Sequence, residues 1–225
     1  MKIILLPGLD GTGLLFQGLV KELSPEFDVE VISYDDIEAV SYLDQAKEIA
    51  ETIKAEEIFI VEESYSGRVA YELGLILGKR VKGIVFLAGF ISRPLIFSRL
   101  ASYVPIKVLA PNVFGKYLLN LFGFNLSANN DLVDSVFNSL RQADKRKLKY
   151  RLRNISDLDK PLKTLTCSVI YVRPSRDLLV GEKAVQYLAS KCLSFSQVNV
   201  NGGHFIGQSN PGACARVVSN AVEAK

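Results

Sequence analysis

The stretch that decides the fold is "IFIVEESYSGRVAYELG", Ile58 to Gly74. A run of β-branched and aromatic residues ends in two glutamates, a serine follows, and a segment of helical period opens near Gly67. Such a run reads as a strand, and the apolar spacing after it reads as a helix. A serine on the sharp turn between them has its hydroxyl pushed into a cleft, near the positive end of the helix. Two registers fit. With Ser64 central, the flanks two residues away are Glu62 and Ser66; with Ser66 central, they are Ser64 and Arg68. Those flanks are normally small, because neighbouring backbone crowds there, and the strand should end two residues before the serine. "IFIVE" ends at Glu62, which favours Ser64. Ala70 then falls where a small helical residue can approach the sheet.

Working outward, short apolar runs recur along the chain: "KIILLP", "DVEVIS", "EIFIVE", "VKGIVFLAG", "CSVIYVRP" and "SFSQVNV". Segments of helical period such as "LDQAKEIAETIKAEE" lie between most of them. Strands alternating with helices predict an α/β fold, a mostly parallel six-stranded sheet covered by helices on both faces. From about Phe90 to Lys160 the alternation stops, and Pro105, Pro111 and Gly123 break what reads as several helices. This predicts a core of residues 1–90 and 161–225 with an inserted helical cap at 91–160. The first half of the insertion, "PLIFSRLASYVPIKVLAPNVFGKYLLNLFGF", is markedly apolar. It reads as a lid packing on the core, with a membrane-surface helix as the lesser alternative.

In parallel sheets, ligand chemistry sits beyond the carboxyl ends of the strands. After the first strand comes "PGLDGTGLLF", whose glycines have neither P-loop nor dinucleotide-fold spacing but allow amides to point into a cleft. Asp10 and Thr12 read as turn and cap residues. After the fifth strand comes "VRPSRDLLVG" with Asp177. After the last comes "VNGGHFIGQSNPGACARVV" with His204, the single histidine of the chain, ahead of a helix opened by Asn210 and Pro211. Each is weak alone, since an aspartate in a loop is most often a turn residue. The order Ser, Asp, His after three strands is specific, because imidazole titrates near working pH and is the usual base for a serine.

With 225 residues, 48% of them apolar, the chain can bury a core. The 27 basic against 24 acidic residues give no concentrated basic face of the kind nucleic-acid proteins show. Cys167, Cys192 and Cys214 have no metal or disulfide spacing and read as small buried residues in a reducing compartment. The N-terminus lacks the longer apolar run of a secretory signal, and no apolar run reaches the roughly 20 residues of a membrane span. A cytoplasmic protein is the expectation.

On "LPGLDGTG", "ESYSG" and the ordered Ser64, Asp177 and His204, the chain resembles the α/β-hydrolase superfamily over nearly its whole length. It is most similar to small capped bacterial members taken to be esterases. The resemblance implies Ser64 as nucleophile, His204 as base, Asp177 as its acid partner, and an oxyanion hole from the backbone amides of Leu9 and Tyr65. It implies a cap between the fourth and fifth strands, and a minimal core lacking the antiparallel pair of larger members. Two departures stand out. Glu62 occupies the place of the elbow's usual Gly or Ala, and Pro7 stands where many members have His.

The expected reaction is cleavage of a carboxylic ester, with a small-molecule ester as substrate and neither metal nor organic cofactor required. The apolar cap suggests an acyl chain or another apolar group. "DKRKLKYRLRN", Asp144 to Asn154, reads mainly as a solvated basic face. Its functional alternative is docking of an acidic carrier protein, which would make the protein a thioesterase or methyl-ester hydrolase. A non-catalytic binding protein on the same fold is the competing class.

Overall fold

Ile3 to Leu6 form an unbroken apolar run, which suits a strand only where both faces are covered. That run lies in β1 (Lys2–Leu6), and all four residues are fully buried. The computed structural model describes residues 1–94 and 112–225. Among them the other apolar runs form β2 (Asp28–Val31), β3 (Ile58–Glu63), β4 (Val81–Leu87), β5 (Leu165–Pro174) and β6 (Cys192–Val200). The strands lie in the order β2-β1-β3-β4-β5-β6, and every pairing is parallel.

Alternation along β3 divides the core in two. Ile58 and Ile60 face a cluster built with Tyr42, Ala46 and Ile49 of α2 (Tyr42–Thr52), Val69 and Leu73 of α3 (Gly67–Leu77), and Val185 of α7 (Glu182–Ala189). Phe59 and Val61 face the opposite cluster, with Leu19 and Leu23 of α1 (Gln17–Leu23) and Val218 and Val222 of α8 (Pro211–Glu223). Helices on both faces leave the carboxyl ends of the strands as the free edge, where the loops converge.

Between β4 and β5 lie α4 (Val113–Phe124), α5 (Asn130–Gln142) and α6 (Lys145–Asp157). Each opens on a side chain that accepts from an early amide: Asn112, Asn129 and Asp144. Phe124, Val133, Val136 and Phe137 form a small separate core that Leu15 and Phe205 join. So α4 and α5 rest on the loops that follow β1 and β6. Of the apolar stretch that begins at Pro94, residues 95–111 lie outside the described residues; beyond them, Val113, Phe114 and Tyr117 of α4 are exposed. No helix among the described residues is long and apolar enough to cross a membrane. The three cysteines are free, but only Cys214 is fully buried; Cys167 and Cys192 are half-buried.

Candidate active site

β3 runs to Glu63, one residue further than the sequence suggested, because Glu63 still pairs with Leu87 of β4. The turn is therefore abrupt. Ser64 sits at φ 54°, in the left-handed region, and a single 3-10 turn leads into α3. A non-glycine residue held there costs on the order of 1–3 kcal/mol. The close approach near this turn is made by Gly67, where a methyl would lie 2.5 Å from the backbone nitrogen of Phe90.

The turn and two loops bring three side chains together. Ser64 Oγ lies 2.8 Å from His204 Nε2. His204 Nδ1 lies 3.2 and 3.1 Å from the two oxygens of Asp177. Asp177 Oδ1 also accepts from the amides of Leu179 and Val180, at 2.8 and 3.0 Å. Burial alone would push Asp177 up, but the His204 charge and hydrogen bond, with the two amides, outweigh it and hold the carboxyl below its ordinary range. Burial likewise pulls His204 down, yet the Asp177 charge and hydrogen bond, with Glu63 behind, leave it raised. An ionised carboxylate only accepts, so Nδ1 carries the ring proton and Nε2 is left to accept from Ser64. Ser66, the alternative centre, is buried elsewhere; its hydroxyl engages the Pro7 carbonyl and the Tyr34 hydroxyl.

Glu62 and Glu63 are both buried, on opposite faces of β3. Neither oxygen of Glu62 has a hydrogen-bond partner among the described residues. Burial first, then the neighbouring Glu63 charge, pushes it well above the carboxylate range. Its room comes from Gly89, where a methyl would sit 1.7 Å from Glu62 Oε1. The small residue that the elbow lacks at position 62 is thus supplied from the loop after β4. Glu63 lies between Gly8 and Gly207, and its Oε2 accepts from Gln208 Nε2 at 3.1 Å. Burial and the Asp10 charge raise it to about 7, against the opposing pull of Gln208 and His204.

The first loop places the amide of Leu9 at the same end of the sheet, and Tyr65 directly follows Ser64. Leu9 N–H has no acceptor among the described residues. The Tyr65 side chain is buried, donating to Gln45 Oε1 at 3.0 Å and accepting from Asn154 Nδ2 at 2.9 Å. Thr12 Oγ1 accepts from Leu14 N, but the cap position of the turn that follows is Gly13, which makes no side-chain bond. Asp10 does more than turn the loop: its Oδ2 accepts from Thr12 and also from Ser139 of α5, at 2.6 Å. Arg151 is a larger departure from the sequence reading. It belongs to the basic run read as a solvated face, yet it is 1% exposed and donates to the carbonyls of Leu9 and Asp10. A helical stripe, Leu148, Arg151, Leu152 and Ile155, carried the signal that could have found it. A groove of about 940 Å³ opens beside the His204 loop, lined by Asn129, Leu132, Arg176, Asn201 and Gln208 among others, but not by Ser64, Asp177 or His204.

A parallel six-stranded sheet flanked by helices, with the serine turn after its third strand, has the α/β-hydrolase fold. No protein-family model matches the sequence, and no curated protein matches it. Solved structures do match. A hydrolase from Oleispira antarctica superposes with a TM-score of 0.81 at 14% identity, over 100% of this chain and 91% of that one. A thermophilic esterase from Thermogutta terrifontis gives 0.78 at 12% identity, over 100% and 90%. A meta-cleavage product hydrolase from Pseudomonas fluorescens gives 0.77 at 18% identity, over 100% and 92%. At such identities the likeness concerns the fold.

Proposed function

We propose that this protein is a serine hydrolase that cleaves carboxylic esters through an acyl-enzyme. The observation that carries the reading is the 2.8 Å contact of Ser64 Oγ with His204 Nε2, made by a serine in a strained backbone conformation. In this reading His204 takes the Ser64 proton as Oγ attacks the ester carbonyl, then returns it to the leaving alcohol. Water repeats the sequence on the acyl-enzyme and frees the acid. Asp177 fixes the ring tautomer and stabilises the imidazolium. The amides of Leu9 and Tyr65 receive the oxyanion, where one donor is worth about a hundredfold or more in rate. Helices α4 to α6, within residues 91–160, serve as the cap. These steps call for no metal or organic cofactor, and three free thiols suit a reducing, cytoplasmic setting.

A second reading, hydrolysis of an acyl group on an acidic carrier protein, draws on α6. Lys145, Lys149 and Arg153 are exposed at four-residue spacing and so share one face. Strong salt dependence with a carrier-bound acyl substrate, absent with a small ester, would favour it.

Turnover of p-nitrophenyl esters of increasing chain length tests the main reading. Wild type should hydrolyse at least one. Ser64→Ala and His204→Gln should each lose on the order of 10⁴-fold or more, while Ser66→Ala keeps measurable turnover. An active Ser64→Ala, or a folded wild type inert to every ester, contradicts it. The inert outcome would favour the non-catalytic binding protein.

A further inference from the structure

Arg151 heads the fully buried side chains by size. No carboxylate lies in ion-pair contact with it among the described residues; its partners are carbonyls and a ring. A guanidinium taken out of water without an ion pair is costly, so its burial calls for a compensating role. Nε donates to the Leu9 carbonyl and Nη2 to the Asp10 carbonyl, both at 2.7 Å. The guanidinium lies over the Tyr34 ring, 5.8 Å from its centroid, and fills the space beside Gly11, where a methyl would fall 2.7 Å from Cζ. Gly11 itself has φ +75°.

These contacts complete a pattern. The Pro7 carbonyl accepts from the Ser66 hydroxyl, Gly8 from the amide of Gly11 at 3.1 Å, and Gly11 from the amide of Tyr34 at 2.7 Å. With Arg151 on Leu9 and Asp10, every carbonyl from Pro7 to Gly11 is held, while Leu9 N–H has no acceptor among the described residues. One turn further along α6, Asn154 donates to the Tyr65 hydroxyl and, at 2.7 Å, to the Val40 carbonyl. A single helical turn outside the sheet thus grips both residues whose amides were assigned to the oxyanion hole.

We propose that Arg151, seconded by Asn154, is a positioning residue that sets the oxyanion hole from the cap. The inference rests on the reading of Leu9 and Tyr65 as the oxyanion donors. Arg151 holds two consecutive peptide units of the first loop by their carbonyls, which fixes the backbone on which Leu9 N–H is aimed. The planar fork reaches two neighbouring carbonyls at once, whereas a lysine is a point donor without that geometry. Helix α6 is then part of the catalytic apparatus as well as a cover over it.

The test compares Arg151→Lys, Arg151→Met and Asn154→Ala with wild type in ester turnover and in inhibition by an alkyl trifluoromethyl ketone. Ser64 adds to the ketone carbonyl and gives its proton to His204, leaving a hemiketal oxyanion in the hole. Arg151→Lys should lose roughly tenfold to a hundredfold in kcat, with KM within about threefold. Its ketone affinity should fall by the same factor as kcat/KM. Asn154→Ala should show a smaller loss, a few-fold, in the same two readouts. A purely structural Arg151 would lower the melting temperature and leave kcat and ketone affinity of the folded protein at wild-type values, which would overturn the proposal. Should the Arg151 variants fail to fold, Asn154→Ala decides by the same readouts, and unchanged kcat and ketone affinity in it overturn the proposal. A wild type that neither hydrolyses esters nor binds the ketone sinks the functional reading itself, and that is visible before any variant is made.

Discussion

Two glutamates close β3 one residue apart, and the opposite faces of the sheet make them different groups. Glu62 points into the larger core cluster, unpartnered among the described residues, with its space supplied by Gly89. Glu63 points toward the loops of Asp10, His204 and Gln208, keeps one hydrogen bond, and sits at about 7. The first is an unpartnered packing piece in the elbow; the second is a hydrogen-bonded carboxyl behind the histidine. Period-two alternation alone separates a carboxyl closed into the core from one set beside the catalytic candidates.

The largest effect that bears on this contrast is on stability. A carboxyl raised in the folded state contributes stability that is full below its unfolded value and is lost as pH rises toward its folded one. For Glu63 that window runs from 4.5 to about 7. Glu63→Gln should therefore match wild type near pH 4 and exceed it at pH 8 by up to about 3 kcal/mol, at 1.36 kcal/mol per unit. Urea melts across pH check this, and identical profiles would break the contrast.

Gly89→Ala comes next. The added methyl meets the Glu62 carboxyl in a closed space, and overpacking of this kind costs about 1–3 kcal/mol. Glu62→Ala in the same chain should recover most of that loss, whereas Glu63→Ala should not. A double-mutant cycle in urea measures the coupling; simple additivity with Glu62→Ala would remove Gly89 from the account of the elbow.

The smallest effect is kinetic. His204 must be neutral to accept a proton, and its pKa is raised, so kcat/KM should fall on the acid side with a midpoint above 6.5. Glu63 contributes to that elevation, so Glu63→Gln should move the acid limb to lower pH. Glu62→Gln should leave it in place. Because the Glu63 and His204 charges act on one another, the limb reports the pair.

Much of this was legible in the sequence, because strands and their following loops are local patterns. The β-branched runs marked all six strands, and the loops after the third, fifth and sixth carried Ser64, Asp177 and His204, which the fold brings into contact. The preference for Ser64 over Ser66 rested on where a strand should stop. The strand runs one residue longer than that argument took it to be, and Ser64 is the serine in contact with His204. What stayed hidden depends on contacts between distant segments. Gly89 looks like any turn glycine until Glu62 is seen against it. Arg151 looked solvated because its neighbours in sequence are basic, although its helical stripe is apolar. Asp10 and Thr12 read as local turn residues, and nothing local could announce Ser139 beside them.

The central claim is that Ser64 is the nucleophile activated by His204. Labelling the folded protein with a fluorophosphonate and mapping the modified peptide tests it most directly. The account predicts phosphonylation of Ser64, none on Ser66, and loss of labelling in His204→Gln. Label on Ser66, label undiminished in His204→Gln, or a folded protein that takes no label would contradict it.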